Sequence, residues 1–160
     1  MPTPEMDIPD LDDVDRHILR LLQQDGRRTN VDIAREVGLT PSPCLRRIRF
    51  LEHRGFITGY AAVLNPVMLR RNLDVLVMVE LTDQRRETMA AFEEAVEKLD
   101  DVLACYLIAG EADYLLTVAV ADLEAYHKVF TEQLGELPGV ISIKSLITMK
   151  TVKEGRALPV

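Results

Sequence analysis

Apolar residues recur at Leu11, Val14, Ile18, Leu21 and Leu22 in LDDVDRHILRLLQQDGRR, a spacing of three and four that predicts a helix with one apolar stripe. Asp12 is its expected N-cap and Gly26 its expected stop. The run TNVDIAREVGL predicts a shorter helix, capped by Thr29 or Asn30, with Ile33, Ala34 and Val37 inward and Gly38 at its end. LTPSPCLRRIRFLEHRG predicts a third, capped at Thr40 and closed by Gly55. Pro41 falls at the first helical position and Pro43 within the first turn, where N–H groups have no intrahelical partner. The prolines therefore mark a start and do not break the helix. Three short helices with tight turns make a helix-turn-helix unit. FITGYAAVL follows, β-branched and aromatic, and reads as a short strand or wing.

NPVMLRRNL reads as a linker with one helical turn after Pro66, and beyond it the period changes. Leu73, Val75, Val77, Val79 and Leu81 alternate as in a strand. Met89, Phe92, Val96 and Leu99 give a helix, VLACYLIAG and YLLTVAV two strands, and Leu123, Tyr126, Phe130 and Leu134 a helix capped by Asp122. After the Pro138-Gly139 turn, VISIKSLITMKTV is the last strand. The order β-α-β-β-α-β is the ferredoxin-like layout. The fold class expected is α+β: a winged helix-turn-helix followed by a ferredoxin-like, ACT-like βαββαβ domain. The boundaries are a flexible N-terminus over 1–10, the helix-turn-helix over 11–60, a linker over 61–72, the second domain over 73–153 and a tail over 154–160.

Two helices cover one face of a four-stranded sheet, yet the strands carry apolar residues on both. Leu76 and Met78 lie between Asp74 and Glu80, while Leu103, Cys105 and Leu107 oppose Ala104, Tyr106 and Ile108. A second copy of the same sheet is the simplest cover. A homodimer is therefore expected, with Leu76 and Met78 at its interface.

Composition narrows the class. At 160 residues and 48% hydrophobic, the chain has enough for one domain or two small ones and too much apolar content for wholesale disorder. MPTPEMDIPD has neither the basic nor the apolar region of a secretory signal, and no apolar stretch is long enough for a membrane span. Cys44 and Cys105 make no disulfide framework, so the cytoplasm is the expected compartment. His17, His53 and His127 lie on three different predicted helices, and no metal-ligand spacing, phosphate loop or nucleophile motif occurs. No catalytic residue, metal or cofactor is assigned, and an enzyme is not expected.

Charge changes the picture most. The chain is −7 overall, but Arg27 to Arg54 holds seven arginines against Asp32, Glu36 and Glu52, a local balance of +4. From Ala61 onward the balance is −6. At 100° per residue, Cys44, Leu45, Ile48 and Leu51 cluster on one side of the third helix, and Ser42, Arg46, Arg49 and His53 on the other. A solvated surface face would mix signs, and Glu52 is the one acid in this helix. A B-form major groove admits one α-helix, and arginine forks match guanine edges or phosphate oxygens. In a helix-turn-helix the early turns of the second helix of the pair approach the bases. Ser42, Pro43 and Arg46, and Arg47 at the flank, are thus base-facing candidates, and Arg27, Arg28, Arg49 and Arg54 are phosphate candidates. Acidity elsewhere does not oppose this, because screening acts over about 8 Å at physiological salt.

The run NVDIAREVGLTPSPCLRRIRFLEHRGFITGYAAVLNP resembles the DNA-binding half of the leucine-responsive and asparagine-type transcription regulators, the Lrp/AsnC or feast/famine family. LDDVDRHILRLLQQDGR resembles the opening helix of that family, and CYLIAGEADYLLTVAV and PGVISIKSLITMK its effector and oligomerisation domain. The likeness spans about residues 11 to 153. It implies a homodimer or a ring of dimers, a tetramer or octamer, on double-stranded DNA, tuned by a small effector, typically an amino acid. One position departs: the family usually carries lysine or arginine where Phe50 sits. Read alone, GEADY is a hairpin turn. The resemblance instead implies an effector pocket around Gly110 and Asp113, with Glu111 and Tyr114 beside them. Backbone N–H groups there suit a carboxylate and Asp113 an ammonium. Two other readings use the same layout, a siroheme-decarboxylase-like enzyme and a sensing or assembly module without DNA binding. The arginine-bearing helix-turn-helix argues against both.

Overall fold

The computed structural model describes residues 10–153, 155 and 157–160, so most of the expected N-terminal stretch 1–10 and positions 154 and 156 of the tail lie outside the described residues. The chain divides into two compact units, residues 1–63 with 154–160, and residues 64–153.

The first unit is helical: α1 Asp13–Gln24, α2 Asn30–Glu36 and α3 Pro41–His53. The first two starts follow from their capping residues. The Asp12 carboxylate accepts the Asp15 N–H at 2.8 Å, and the Thr29 hydroxyl accepts the Asp32 N–H at 3.2 Å. Thr40 stands at the third cap without a side-chain bond, and Pro41 opens the helix. Gly38 and Gly55 adopt φ of 72° and 77°, the left-handed conformation that lets the chain turn off a helix at little steric cost. Ile18, Leu21, Ile33, Ala34, Cys44, Ile48 and Leu51 form the core. Leu45, expected inward, is 37% exposed, because its direction lies 100° from that of Cys44.

No strand or wing forms between α3 and residue 72. A strand needs a partner, and among the described residues of this chain no strand pairs with this run. Phe56 and Ile57 instead pack on the helical core, and the Tyr60 hydroxyl donates to Glu52 at 2.9 Å. The segment 157–160 also belongs to this unit. Val160 packs against the helical core, its main-chain oxygen accepts from Arg20 at 2.8 Å, and Leu158 and Gln23 exchange two bonds.

The second unit opens with a helical turn after Pro66, capped by the Asn65 side chain. It then holds β1 Leu73–Leu81, α4 Arg86–Val96, β2 Val102–Leu107, β3 Tyr114–Val120, α5 Leu123–Glu132 and β4 Val140–Ile147. The sheet order is β2-β3-β1-β4, every pairing antiparallel. Val75, Val77, Val79 and Leu81 face the helices with Leu116 and Val118, and meet Phe92, Val96, Tyr126 and Val129. Each fully buried side chain of this size contributes roughly 1.5–3 kcal/mol.

Two expectations change here. The last strand stops at Ile147 rather than near residue 152, because β1, its ladder partner, begins at Leu73. In β2 the register shifts between Val102 and Ala104. Cys105 and Leu107 then pair with Leu116 and Tyr114 on the helix side, Ala104 and Tyr106 face the open side, and Leu103 leaves the ladder.

Candidate nucleic-acid interface and effector cavity

α3 is held by one stripe, Cys44, Ile48 and Leu51, so the opposite stripe is free to meet a ligand. Ser42, Arg46 and Arg49 are exposed there, Pro43 is half-buried, and Arg54, the C-cap residue just past the helix, is exposed. Arg46 and Arg49 have no carboxylate partner among the described residues. Phe50, 42% exposed, borders the same stripe. Arg27 is exposed, whereas Arg28 donates to Glu36 at 3.0 Å and is partly committed within the unit.

Arg47 is placed otherwise than expected. It turns away from the exposed stripe, and its guanidinium donates to Asp12 at 2.7 Å and to Asp15 at 2.8 Å. Its hydrogen bonds to Asp15 and then to Asp12 raise its pKa. The Asp15 N–H, followed by Arg47, lowers the pKa of Asp12.

In the second unit, a cavity of about 570 Å³ is lined by Gln84, Met89, Leu107, Ile108, Ala109, Gly110, Ala112 and Asp113. Asp113 is its polar anchor. One carboxylate oxygen accepts the Leu81 N–H at 2.8 Å and the other accepts the Gln84 amide at 2.7 Å. Its N–H donates to Val79 at 3.0 Å, and its carbonyl accepts from Ile108 at 2.9 Å. The carboxylate retains lone pairs for a further donor. At Gly110 an added Cβ would meet nothing within 4 Å, so internal packing does not require the glycine. Glu111 is exposed and does not line the cavity. Tyr114, expected in the site, is a core residue. It is 1% exposed, its ring lies 4.5 Å from that of Phe92, and its hydroxyl donates to Glu93 at 2.7 Å. Burial, and then Glu93, push that hydroxyl's pKa upward.

The Lrp/AsnC ligand binding domain family matches residues 74–158 and the AsnC-type helix-turn-helix domain matches residues 11–52. The leucine-responsive regulatory protein of Klebsiella pneumoniae is 44% identical over 149 residues, 93% of this chain and 91% of that protein. The chain belongs to the Lrp/AsnC family of transcriptional regulators. Solved regulators match over most of the chain. A Neisseria meningitidis transcriptional regulator in complex with L-Met has a TM-score of 0.90 at 35% identity, covering 94% of this chain and 97% of that one. An AsnC family regulator from Agrobacterium tumefaciens has a TM-score of 0.88 at 33% identity, covering 93% and 97%. These relatives are regulators, and the enzyme alternative finds no support among them. Among the described residues no cluster of His, Cys, Asp or Glu could hold a metal, and no helix is long and apolar enough to cross a membrane.

Sequence reasoning missed Gln84, Met89 and Leu107 as cavity residues of this Lrp/AsnC chain. They lie up to 29 positions from Asp113, and no local pattern marks them. Only the pairing of β1 with β3, which sets Val79 against Tyr114, brings Gln84 to Asp113.

Proposed function

We propose that this Lrp/AsnC regulator reads duplex DNA with Ser42, Pro43, Arg46 and Arg49 of α3, two copies acting together, and that an amino acid in the Gly110–Asp113 cavity alters assembly or DNA affinity. The observation that supports the reading is the pair Arg46 and Arg49 on the exposed face of α3, with no carboxylate partner among the described residues. Arg27, Arg28 and Arg54 are assigned to the flanking phosphates, in keeping with their sequence positions beside the helix pair.

The cavity suits a small zwitterion. Asp113 receives an ammonium, loop N–H groups hold a carboxylate, and Met89, Leu107 and Ile108 meet an apolar side chain. The L-Met complex of the Neisseria regulator supports this class of ligand. The open sheet face, with Leu76 and Met78 between Tyr106, Leu115 and Leu146, supports self-association, and further assembly of dimers into a tetramer or octamer follows the family pattern.

The test is a mobility-shift titration on genomic fragments across a salt series, with and without single amino acids. Neutralising about six to ten phosphates gives a log–log slope of about −0.9 per contact. Half-sites related by a two-fold are expected about 10 bp apart or at a multiple. No salt-dependent binding to any fragment would leave a sensing module instead. Binding and assembly that ignore every amino acid would remove the effector.

A further inference from the structure

Arg46, Arg47 and Arg49 are all DNA-contact candidates in the sequence, but the structure sets Arg47 apart. We propose that Arg47 is a positioning residue: it fixes the rotation of α3 by gripping the first turn of α1, and it touches no nucleic acid. This rests on the DNA-reading role of α3 given above.

The apolar seam of α3 consists of Cys44, Ile48 and Leu51, a single stripe. One stripe of small and branched side chains holds a helix at the right distance but resists roll about its own axis weakly. Arg47 leaves the helix 60° from Cys44 on the wheel, beside that seam. Its Nη1 reaches two carboxylates of the neighbouring helix start, Asp12 at 2.7 Å and Asp15 at 2.8 Å. Asp12 is itself fixed as the cap of α1, accepting the Asp15 N–H at 2.8 Å. The three residues form a closed bracket between the start of α1 and the middle of α3. Rolling α3 in either direction breaks it.

Burial decides between this role and a phosphate contact. Asp15 is 6% exposed, the one charged residue buried among those described. Arg47 is its counter-ion. Swinging the guanidinium out to a phosphate would leave a buried carboxylate without a partner, and that costs more than a solvent-screened phosphate contact returns. Arg46 and Arg49, with no carboxylate partner among the described residues, face no such cost. The bracket therefore sets the azimuth at which Arg46 enters a groove, a distance-sensitive matter for bidentate base contacts.

The experiment exploits an inverted sign. Asp15→Asn removes one negative charge per chain, and bulk electrostatics predicts tighter DNA binding. The positioning role predicts the reverse. With the full chain and a fragment selected by the wild type, Asp15→Asn is expected to lower specific affinity about tenfold with the salt slope unchanged. Arg47→Met is expected to do the same, and the double variant to lose little more than either alone. Arg47→Lys, which keeps charge without the fork, is expected to rescue only part. Circular dichroism melts identify any variant that unfolds. For that outcome, the Arg47 guanidinium resonances of the wild type are followed by NMR, and they are expected to stay at their free-protein positions when DNA is added.

Tighter binding by Asp15→Asn, a salt slope reduced by about 0.9 per subunit in Arg47→Met, or a DNA-induced shift of the Arg47 resonances would each overturn the proposal. Failure of the wild type itself to bind would fall on the DNA-reading role, which the same titration measures separately.

Discussion

Asp113 and Tyr114 are neighbours in the chain with opposite duties. Asp113 ties the 108–113 loop to β1 through Leu81, accepts from Gln84 in the segment after that strand and lines the cavity, while Tyr114 turns into the core and bonds Glu93. Tyr114→Phe is therefore expected to lower stability by about 1 kcal/mol in urea melts, the net value of one hydrogen bond, and to leave effector affinity unchanged. Gly110→Thr should behave inversely. An added Cβ there meets no atom within 4 Å, so stability stays within about 0.5 kcal/mol, but the side chain occupies cavity space and the response to the effector is lost. Isothermal titration calorimetry on the pair separates the roles, and loss of effector binding in Tyr114→Phe would contradict this division. On α3, Arg46→Ala is expected to cost about 1–3 kcal/mol on the preferred site and relax one base preference. Arg28→Ala, already half engaged by Glu36, should weaken all sequences alike and by less.

At the scale of elements, the start of α1 has a pH signature. The folded-state pKa of Asp12 lies below its ordinary 3.8, through the Asp15 N–H and then Arg47. A lowered carboxylate pKa contributes stability above the unfolded value and loses it as pH falls through the folded one. The helical unit should accordingly weaken below about pH 3.8, and Asp12→Asn should flatten that limb of the acid melt. The caps Asp12 and Asp122 were legible in the sequence and Thr29 was one of two candidates, because capping is settled within three residues. So was the β1 alternation, since only one face of that strand is sealed by helices. The misread elements needed distant information. FITGYAAVL has strand-forming residues but pairs with no strand among the described residues, and Phe56 and Ile57 join the helical core. The register shift near Leu103 left no trace, because β2 is apolar on both sides and a one-residue slip changes no pattern. The run from Ala157 to Val160 is too short to carry a period, yet Arg20, Gln23 and the core of the helical unit hold it. At α3, the wheel separated the exposed arginines from the seam but placed Arg47 at the flank, where only the acids of α1 decide its direction.

The molecule as a whole divides its labour by charge: a helical unit with an arginine face, and a sheet unit with an acidic balance and an apolar open face. That face carries Leu76 at 37% exposure, Leu146 at 42% and Tyr106 at 55%, with Met78, Leu115 and the buried Ala119 between them. Asp74, Glu80 and Lys144 stand on the same side, so both signs are available to a self-complementary contact. Water contact over contiguous apolar strands is unfavourable in proportion to area, and a second copy of the face removes it from both at once. Leu76→Asp places a carboxylate at the centre of that contact without touching the helix-side core. Its expected effect is a fall to monomer mass in light scattering with the circular dichroism spectrum kept. DNA affinity should fall more than tenfold as well, because two half-sites are then read by unlinked units and the gain from effective concentration vanishes. Arg46→Ala weakens the same binding with the dimer intact, so the two variants resolve assembly from contact. A Leu76→Asp protein that keeps its mass would place the two-fold elsewhere, and one that becomes monomeric yet binds DNA undiminished would show that the linked pair is not what reads the site.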